Sequence, residues 1–510
     1  MTDTSANNKR IAKNTLILYI RMLFMMAVSL FTSRITLDVL GVTDYGLYNV
    51  IGGVVGMFSI LSGALSVAIS RFITVEAGKG DSERLNTVFS TSVTIQLFMA
   101  VIICILVEIA GVWFLNNKMV IPTDRLYAAH WVMHLSVFTF MVNLISVPYN
   151  AVIIANEKMS AFAYISIAEV VLKLIIVYLL YIGSFDKLIL YSVLLAAVAI
   201  VIRMIYGTYC KRHFAEARYR PHLDKGLLRD MFGFIGWAFW GNAVVVLKDQ
   251  GVNVLLNMFC GPAVNASRGL AMQVNTAVYS FVQNFMTAVN PQITKLHSTG
   301  DLFAMHKLIV RSSKFSFFIL LVLLLPVCAN IDYVLGLWLV EVPDHTANFI
   351  VLILLCSLLD CYSHPILTGV LAEGRIKWYE IALTIIYLSY FIVSYILLRN
   401  GWQPEWVFIF NILFKAFVVI VLLYHSRSTF SFSVGTYLRE CILRTGIVFI
   451  LCVLIIKLLP VSRVTGLLDF VISTAVIMVV TIGLIFLIGL TRNEAAYIIK
   501  ATVSKVRLNK

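Results

Sequence analysis

Charge is what this sequence has least of. Only 13% of its 510 residues are Asp, Glu, Lys or Arg, while 60% are hydrophobic, and the mean hydropathy is +0.91. Soluble globular chains carry about 25% charged residues, so a soluble fold is excluded and a polytopic membrane protein is expected. Long hydrophilic loops are also missing. None exceeds roughly 25 residues, whereas a soluble catalytic domain needs on the order of 50 or more, so any function has to lie within the membrane helices and no enzyme is expected. No GxxxxGK[ST] segment occurs, which excludes nucleotide hydrolysis through a phosphate loop. The eight cysteines are scattered, without CxxC or zinc-like spacing, and read as small buried residues; neither a disulfide framework nor a metal site is expected. The opening MTDTSANNKRIAKN lacks a short apolar core with a small-residue cleavage site, so the first span is expected to be retained.

What is present is a succession of apolar runs of roughly 18 to 25 residues. They fall near 14–38, 47–69, 88–113, 126–150, 159–182 and 188–208, then near 231–257, 263–289, 311–331, 346–370, 376–398 and 404–424, with a last pair near 441–459 and 467–490. About 14 transmembrane helices follow. Placing both termini in the cytoplasm assigns about 28 Lys and Arg to that side and about 6 to the other. The largest share comes from the loop with Lys211, Arg212, Arg218, Arg220 and Lys225. The net charge of +14 thus reflects cytoplasmic loops meeting anionic membrane lipids, and no nucleic-acid partner is expected.

The stretch from Gly241 to Gly269 breaks the apolar pattern by placing Lys248 and Asp249 inside a run long enough to cross a bilayer. Intramembrane charges are costly and face a protein interior or a wet cavity. At 100° per residue Asn242, Asp249 and Asn253 fall close to one line, with Asn257 nearby; after the Gly261-Pro262 break, Asn265, Arg268, Asn275, Tyr279, Gln283 and Asn290 share one side of the next helix. Two adjacent helices are therefore expected to share a polar interior, serving a cavity or joining helices by hydrogen bonds. Lys248 projects about 100° from Asp249 and need not pair with it.

A faint repeat runs at an offset of about 220 residues. Leu40-Gly41 corresponds to Cys260-Gly261, ITVEAGKGD ending in Asp81 to ITKLHSTGD ending in Asp301, and Ser146-Val147-Pro148 to Ser363-His364-Pro365. Each repeat holds six spans, so both have the same orientation, and sites in such folds lie between the halves. The reading is a lobe at 1–210, a basic cytoplasmic linker at 211–228, a second lobe at 229–426, and two additional helices with a basic tail at 427–510. Pro148, Pro291 and Pro365 fall within or at the ends of spans, where they bend or end helices.

Other charges within spans have simpler readings. Arg34 precedes Asp38 by one turn and is placed to pair with it; Arg21 has no such partner and is either a snorkelling anchor or a cavity residue. Glu169 and Lys173 are spaced and ordered for an intrahelical pair. Lys415, with Asn411 one turn before it, has Asp360 and Glu380 as neighbours available on other helices. His130 and His134 have the i, i+4 spacing of a metal pair but no identifiable third ligand, which favours packing or hydrogen bonding.

LGVTDYGLY from Leu40, DQGVNVLLNMFCGPAVNASRGLAMQVN from Asp249, MTAVNPQITK from Met286 and LAEGRIKWYE from Leu371 resemble the polysaccharide and O-antigen repeat-unit flippases of the multidrug/oligosaccharidyl-lipid/polysaccharide superfamily, in particular those of Bacteroides-like bacteria. The resemblance covers nearly the whole chain, and none of its segments is a catalytic signature. It implies an all-α integral membrane fold in which two six-helix lobes form a V-shaped, MATE-like bundle, with two further C-terminal helices. It also implies transport of undecaprenyl-pyrophosphate-linked oligosaccharide across the inner membrane, alongside polysaccharide assembly proteins. By analogy the cationic cavity residues are Arg21, Arg34, Lys248, Arg268 and Lys415; Asn275 and Gln283 are candidates to contact sugar. Asp249 is the candidate for coupling to a proton or sodium gradient; no cofactor is implied. The alternatives are a multidrug/cation antiporter of the same superfamily, disfavoured by arginine rather than acid in the first span, and a membrane polymerase or ligase, disfavoured by short loops.

Overall fold

The computed structural model describes residues 2–58, 69, 72–73, 76, 81–156, 158–182, 185–221, 224–375, 377–458, 466–492 and 494–496, and every element among them is helical. The first half contains α1 (Thr2–Gly56), α2 (Ser82–Asn117), α3 (Leu126–Ala155), α4 (Met159–Leu179), α5 (Lys187–His213) and α6 (Lys225–Cys260). Then come α7 (Pro262–Ser298), α8 (Leu302–Ala329), the short α9 (Ile331–Trp338), α10 (Thr346–Glu373), α11 (Lys377–Arg399) and α12 (Glu405–Phe430). The chain closes with α13 (Val434–Tyr437), α14 (Leu443–Leu458) and α15 (Leu467–Leu484).

Among the described residues, 12 helices are long and apolar enough to cross a membrane, against the 14 spans expected. Two differences account for this. The expected first span and the start of the second form the single stretch Leu23–Gly56, and the rest of 47–69 runs into residues outside those described. The other is α7, which is 37 residues long but carries the polar stripe read above, and that stripe removes it from the apolar set.

Helix starts follow from short acidic caps. Asp81 accepts from the Glu83 and Arg84 amides, Asp186 from those of Leu188 and Ile189, Asp224 from Leu227, and Asp301 from Ala304. Each cap satisfies amides that the first helical turn leaves without a partner. Within α1, Gly41 sits at φ 74°, ψ 168°, and Gly261, between α6 and α7, at φ 83°, ψ 176°. Both values lie where a Cβ is strained, so glycine is the residue that lets the chain break a helix there and resume one immediately. The first sequence anchor of the repeat thus has the same backbone conformation in both places; the Gly80 end of the second lies outside the described residues.

The chain forms two compact units. The first comprises Met1–Gly269, Leu339–Pro343 and Ser394–Pro404; the second comprises Leu270–Trp338, Asp344–Val393 and Glu405–Lys510. The 211–228 linker lies inside the first unit, and the boundary falls within α7. This linker is not a free loop. Asn86 donates to the Glu216 and Arg218 carbonyls at 2.7 and 2.8 Å, Arg84 pairs with Asp224 at 2.8 Å, and Phe214 and Ala217 are buried against α2.

At the other end of the first unit, Arg125 pairs with Asp44, just past the Gly41 break, and with the α5 cap Asp186 at 2.6 Å. Sequence reading missed this trio because its members lie 81 and 61 residues apart. Partial burial pushes the Asp186 carboxyl up, but the Arg125 hydrogen bond and the Ile189 and Leu188 amides outweigh it, leaving the group below its ordinary value. A depressed carboxyl stabilises the fold above its unfolded value and loses that contribution as pH falls through the folded one. Arg125→Ala is expected to cost about 1–3 kcal/mol at pH 7, because two carboxylates are left facing each other in a half-buried site. Thermal unfolding should show the gap from wild type narrowing towards pH 4 as those carboxylates protonate.

Candidate functional site

The polar stripe is divided between the two units: its α6 part and the first turns of α7, with Asn265 and Arg268, form one cluster in the first unit. Lys248, 7% exposed, pairs with Asp249 at 3.0 Å. The pairing that the angle between neighbouring positions left open is made, because the long lysine arm reaches back across it. Arg268, 8% exposed, donates from Nη2 to the Asp249 carbonyl at 3.0 Å. Beside them Asn265 donates to the Asn253 carbonyl and side-chain oxygen at 2.7 and 2.9 Å, and the Val120 amide donates to Asn257 at 3.1 Å. The cluster therefore brings two buried cations, Lys248 and Arg268, together within membrane helices, and cations in such a setting attract an anion.

The second helical segment of α1 lies directly against this cluster. A Cβ on Gly46 would stand 1.9 Å from the Pro262 carbonyl oxygen, one on Gly53 2.6 Å from the side chains of Asn253 and Gln250, and one on Gly269 2.9 Å from Asn49. Small residues bring the backbones together, and asparagines fill the gaps with hydrogen bonds, as at close helix crossings in membranes.

A separate polar network occupies the second unit. Ser357 donates to Asn275 at 2.6 Å, Thr368 donates to Asn290 at 3.1 Å, and His297 meets Glu373 at 2.7 Å. Lys415 pairs with Asp360, so of the two neighbours offered by sequence the structure selects Asp360. The ammonium is largely buried and its charge is matched by one carboxylate. In the same unit, Glu380 Oε2 and His364 Nδ1 are buried polar atoms without a hydrogen-bond partner.

The remaining residues singled out by sequence are dispersed. Arg34 is half-buried on α1, and the side chain of Arg21 lies outside those described. Gln283 is exposed and Asn275 half-buried. Asp38 accepts a hydrogen bond from Tyr181 at 3.1 Å. Glu169 and Lys173 form the expected intrahelical pair at 2.6 Å. His130 bonds to Asn116 at 3.0 Å and His134 to Glu108 at 2.9 Å, the hydrogen-bonding role expected of them. No group of three metal-ligating side chains occurs among the described residues.

Residues 11–297, more than half of the chain and including the whole α6–α7 cluster, match the family model described as polysaccharide biosynthesis protein. This chain belongs to that family. A relative, the uncharacterized membrane protein EpsK of Bacillus subtilis (strain 168), is 20% identical over 267 residues, covering 52% of each chain. The chain thus spans about half the length of the curated relative it matches. Among solved structures, lipid II flippase MurJ in an inward closed conformation aligns with a TM-score of 0.69 at 14% identity, over 92% of this chain and 98% of that one. An inward-facing multidrug resistance MATE family transporter of the MOP superfamily aligns with a TM-score of 0.66 at 15% identity, over 81% and 98%. A MOP superfamily transporter from Pyrococcus furiosus aligns at 0.60 with 14% identity, over 82% and 96%. The fold of this family member is that of the MOP superfamily, and the protein is a multi-pass membrane protein.

Proposed function

We propose that this protein is a flippase that moves undecaprenyl-pyrophosphate-linked oligosaccharide repeat units from the cytoplasmic to the periplasmic leaflet of the inner membrane, with both termini cytoplasmic. The observation that carries the reading is the pair of buried cations, Lys248 and Arg268, brought together by α6 and α7 within the family-matched region. A pyrophosphate carries the charge such a site favours, and a guanidinium offers paired donors to its oxygens. Family membership ties the chain to polysaccharide biosynthesis, and the MOP fold serves both a lipid flippase and a multidrug resistance transporter. Alternating access would come from the two six-span halves rocking against each other, with the polyprenyl tail left in lipid. Arg21, Arg34 and Lys415 are further contacts for the head group, and Asn275 and Gln283 for sugar. Asp249 is the group proposed to carry a coupling proton or sodium ion.

Translocation of a fluorescent undecaprenyl-pyrophosphate-linked sugar in proteoliposomes tests this. Arg268→Ala is expected to slow it at least about tenfold, and Arg268→Lys by less, since a point charge keeps the attraction but loses the fork. Equal rates for wild type and Arg268→Ala at matched thermal stability would falsify the assignment. Efflux of a cationic drug without movement of the lipid probe would favour the antiporter reading.

A further inference from the structure

Between the second segment of α1, α3 and α5, the first unit holds a partly open cleft of about 210 Å³. Its polar lining comes from Tyr48, Ser136, Thr139, Asn143 and Ser192, with Phe140 beside them. The described residues lining it include no Asp, Glu, Lys, Arg or His. We infer that this cleft takes one uncharged sugar ring of the transported glycolipid. The inference rests on the flippase reading for what the sugar is attached to, and on the cleft alone for the sugar.

Among the described residues the lining is uncharged, which suits a neutral ligand. An ion leaving water for a site without a counter-charge loses its hydration with nothing in return, so a neutral ligand is selected over a uronic acid or an amino sugar. Hydroxyls and a carboxamide both donate and accept, which matches the alternating demands of sugar hydroxyls. The Ser192 hydroxyl already donates to the Leu188 carbonyl at 3.1 Å, which leaves its lone pairs to accept. Aromatic and aliphatic surfaces suit the apolar face of a pyranose ring. The Tyr48 ring is held in place edge to face against Tyr191, with centroids 5.0 Å apart. Size sets the number of rings: drug-sized ligands occupy about 300–1,000 Å³, and this space is smaller. Gly52 and Gly56, one turn apart, form part of the wall, and a Cβ added at Gly52 meets nothing within 4 Å. A larger side chain there would fill the cleft without displacing protein atoms.

The test is saturation-transfer NMR on the full-length protein in nanodiscs, with methyl β-glucopyranoside and methyl β-glucuronide as probes. Wild type is expected to transfer saturation to the glucoside about tenfold more strongly than to the glucuronide, the discrimination that one uncompensated buried charge provides. Gly52→Val should abolish the glucoside signal with unchanged thermal unfolding. Thr139→Val with Asn143→Leu, which keeps the volume and removes the polar partners, should abolish it as well. Equal transfer to the two probes, or a glucoside signal that survives in Gly52→Val, overturns the proposal. Translocation of the lipid-linked probe is scored separately. A glucoside signal that Gly52→Val removes, without lipid movement, upholds the cleft and counts against the flippase reading. Lipid movement with no glucoside signal does the reverse.

Discussion

Gly46→Ala is expected to destabilise the protein by about 3 kcal/mol or more, the upper end of what overpacking costs. The new methyl would lie 1.9 Å from the Pro262 carbonyl oxygen, and that atom is backbone at the start of α7, so no rotamer change can make room. Relief requires the α1 segment and the α6–α7 junction to separate by on the order of 1 Å, which loosens every contact made there. Two neighbours on the same helix serve as controls. Gly52→Ala points into open space and should be neutral or slightly stabilising, by up to about 1 kcal/mol, from helix propensity alone. Gly53→Ala meets only the side-chain ends of Asn253 and Gln250 and should fall between the two. Thermal unfolding of the detergent-solubilised protein gives the ranking. If Gly46→Ala unfolds at the same temperature as Gly52→Ala, the close backbone approach is wrong.

Breaking the Lys314–Glu494 pair is expected to have the largest effect in the second unit. Lys314 on α8 is 1% exposed, and its ammonium lies 2.6 Å from Glu494, 6% exposed, beyond the end of α15. The Thr491 amide also donates to that carboxylate at 2.9 Å, and Arg311 approaches its other oxygen at 3.5 Å. Removing one partner leaves a buried charge without its main counter-charge, so Lys314→Met should cost about 3–5 kcal/mol. The double variant Lys314→Met, Glu494→Leu should recover most of that, because two apolar groups of similar volume avoid the desolvation cost.

The pH dependence gives an independent check on this pair. Burial alone would raise the Glu494 carboxyl, but the Lys314 hydrogen bond and the Thr491 amide hold it below its ordinary value. Its contribution is therefore present above the unfolded pKa and is lost as pH falls through the folded one. In Lys314→Met the main lowering influence is gone and the carboxyl is more easily protonated. Differential thermal unfolding should show the single variant approaching wild type as pH is lowered from 7 towards 4. A constant gap across that range would mean that the loss comes from packing and not from the stranded charge.

This pair also gives the last helices a firm place in the second unit. Composition marks them as an apolar addition to the repeat, without assigning them a partner. Contacts with α8 and its cap include Lys314 with Glu494, Ser473 with Asn330 at 2.9 Å, and Gly489, where a Cβ would stand 2.5 Å from Phe318. Lys314 was a signal that sequence reading passed over, a cation in an apolar run with no acid three or four residues away. Its partner lies 180 positions on, and no periodicity argument reaches that far.

The features legible in sequence are those that depend on near neighbours along the chain. Hydropathy defined the membrane class, and the 3.6-residue period identified the polar faces of α6 and α7 and the Glu169–Lys173 pair, because solvation and helical geometry act over one or two turns. The break between α6 and α7 was marked by Gly261-Pro262 at the end of an apolar run, again a local matter. Tertiary structure alone decided which faces meet. It brought Asp44, Arg125 and Asp186 together, matched Lys415 to Asp360 rather than Glu380, and swung Lys248 back onto Asp249. It also opened the neutral cleft behind Gly52 while closing the backbone at Gly46, on the same helix and less than two turns away. The reason is physical: burial and ion pairing depend on distances in space between helices, and a sequence specifies those only through the packing of the whole chain.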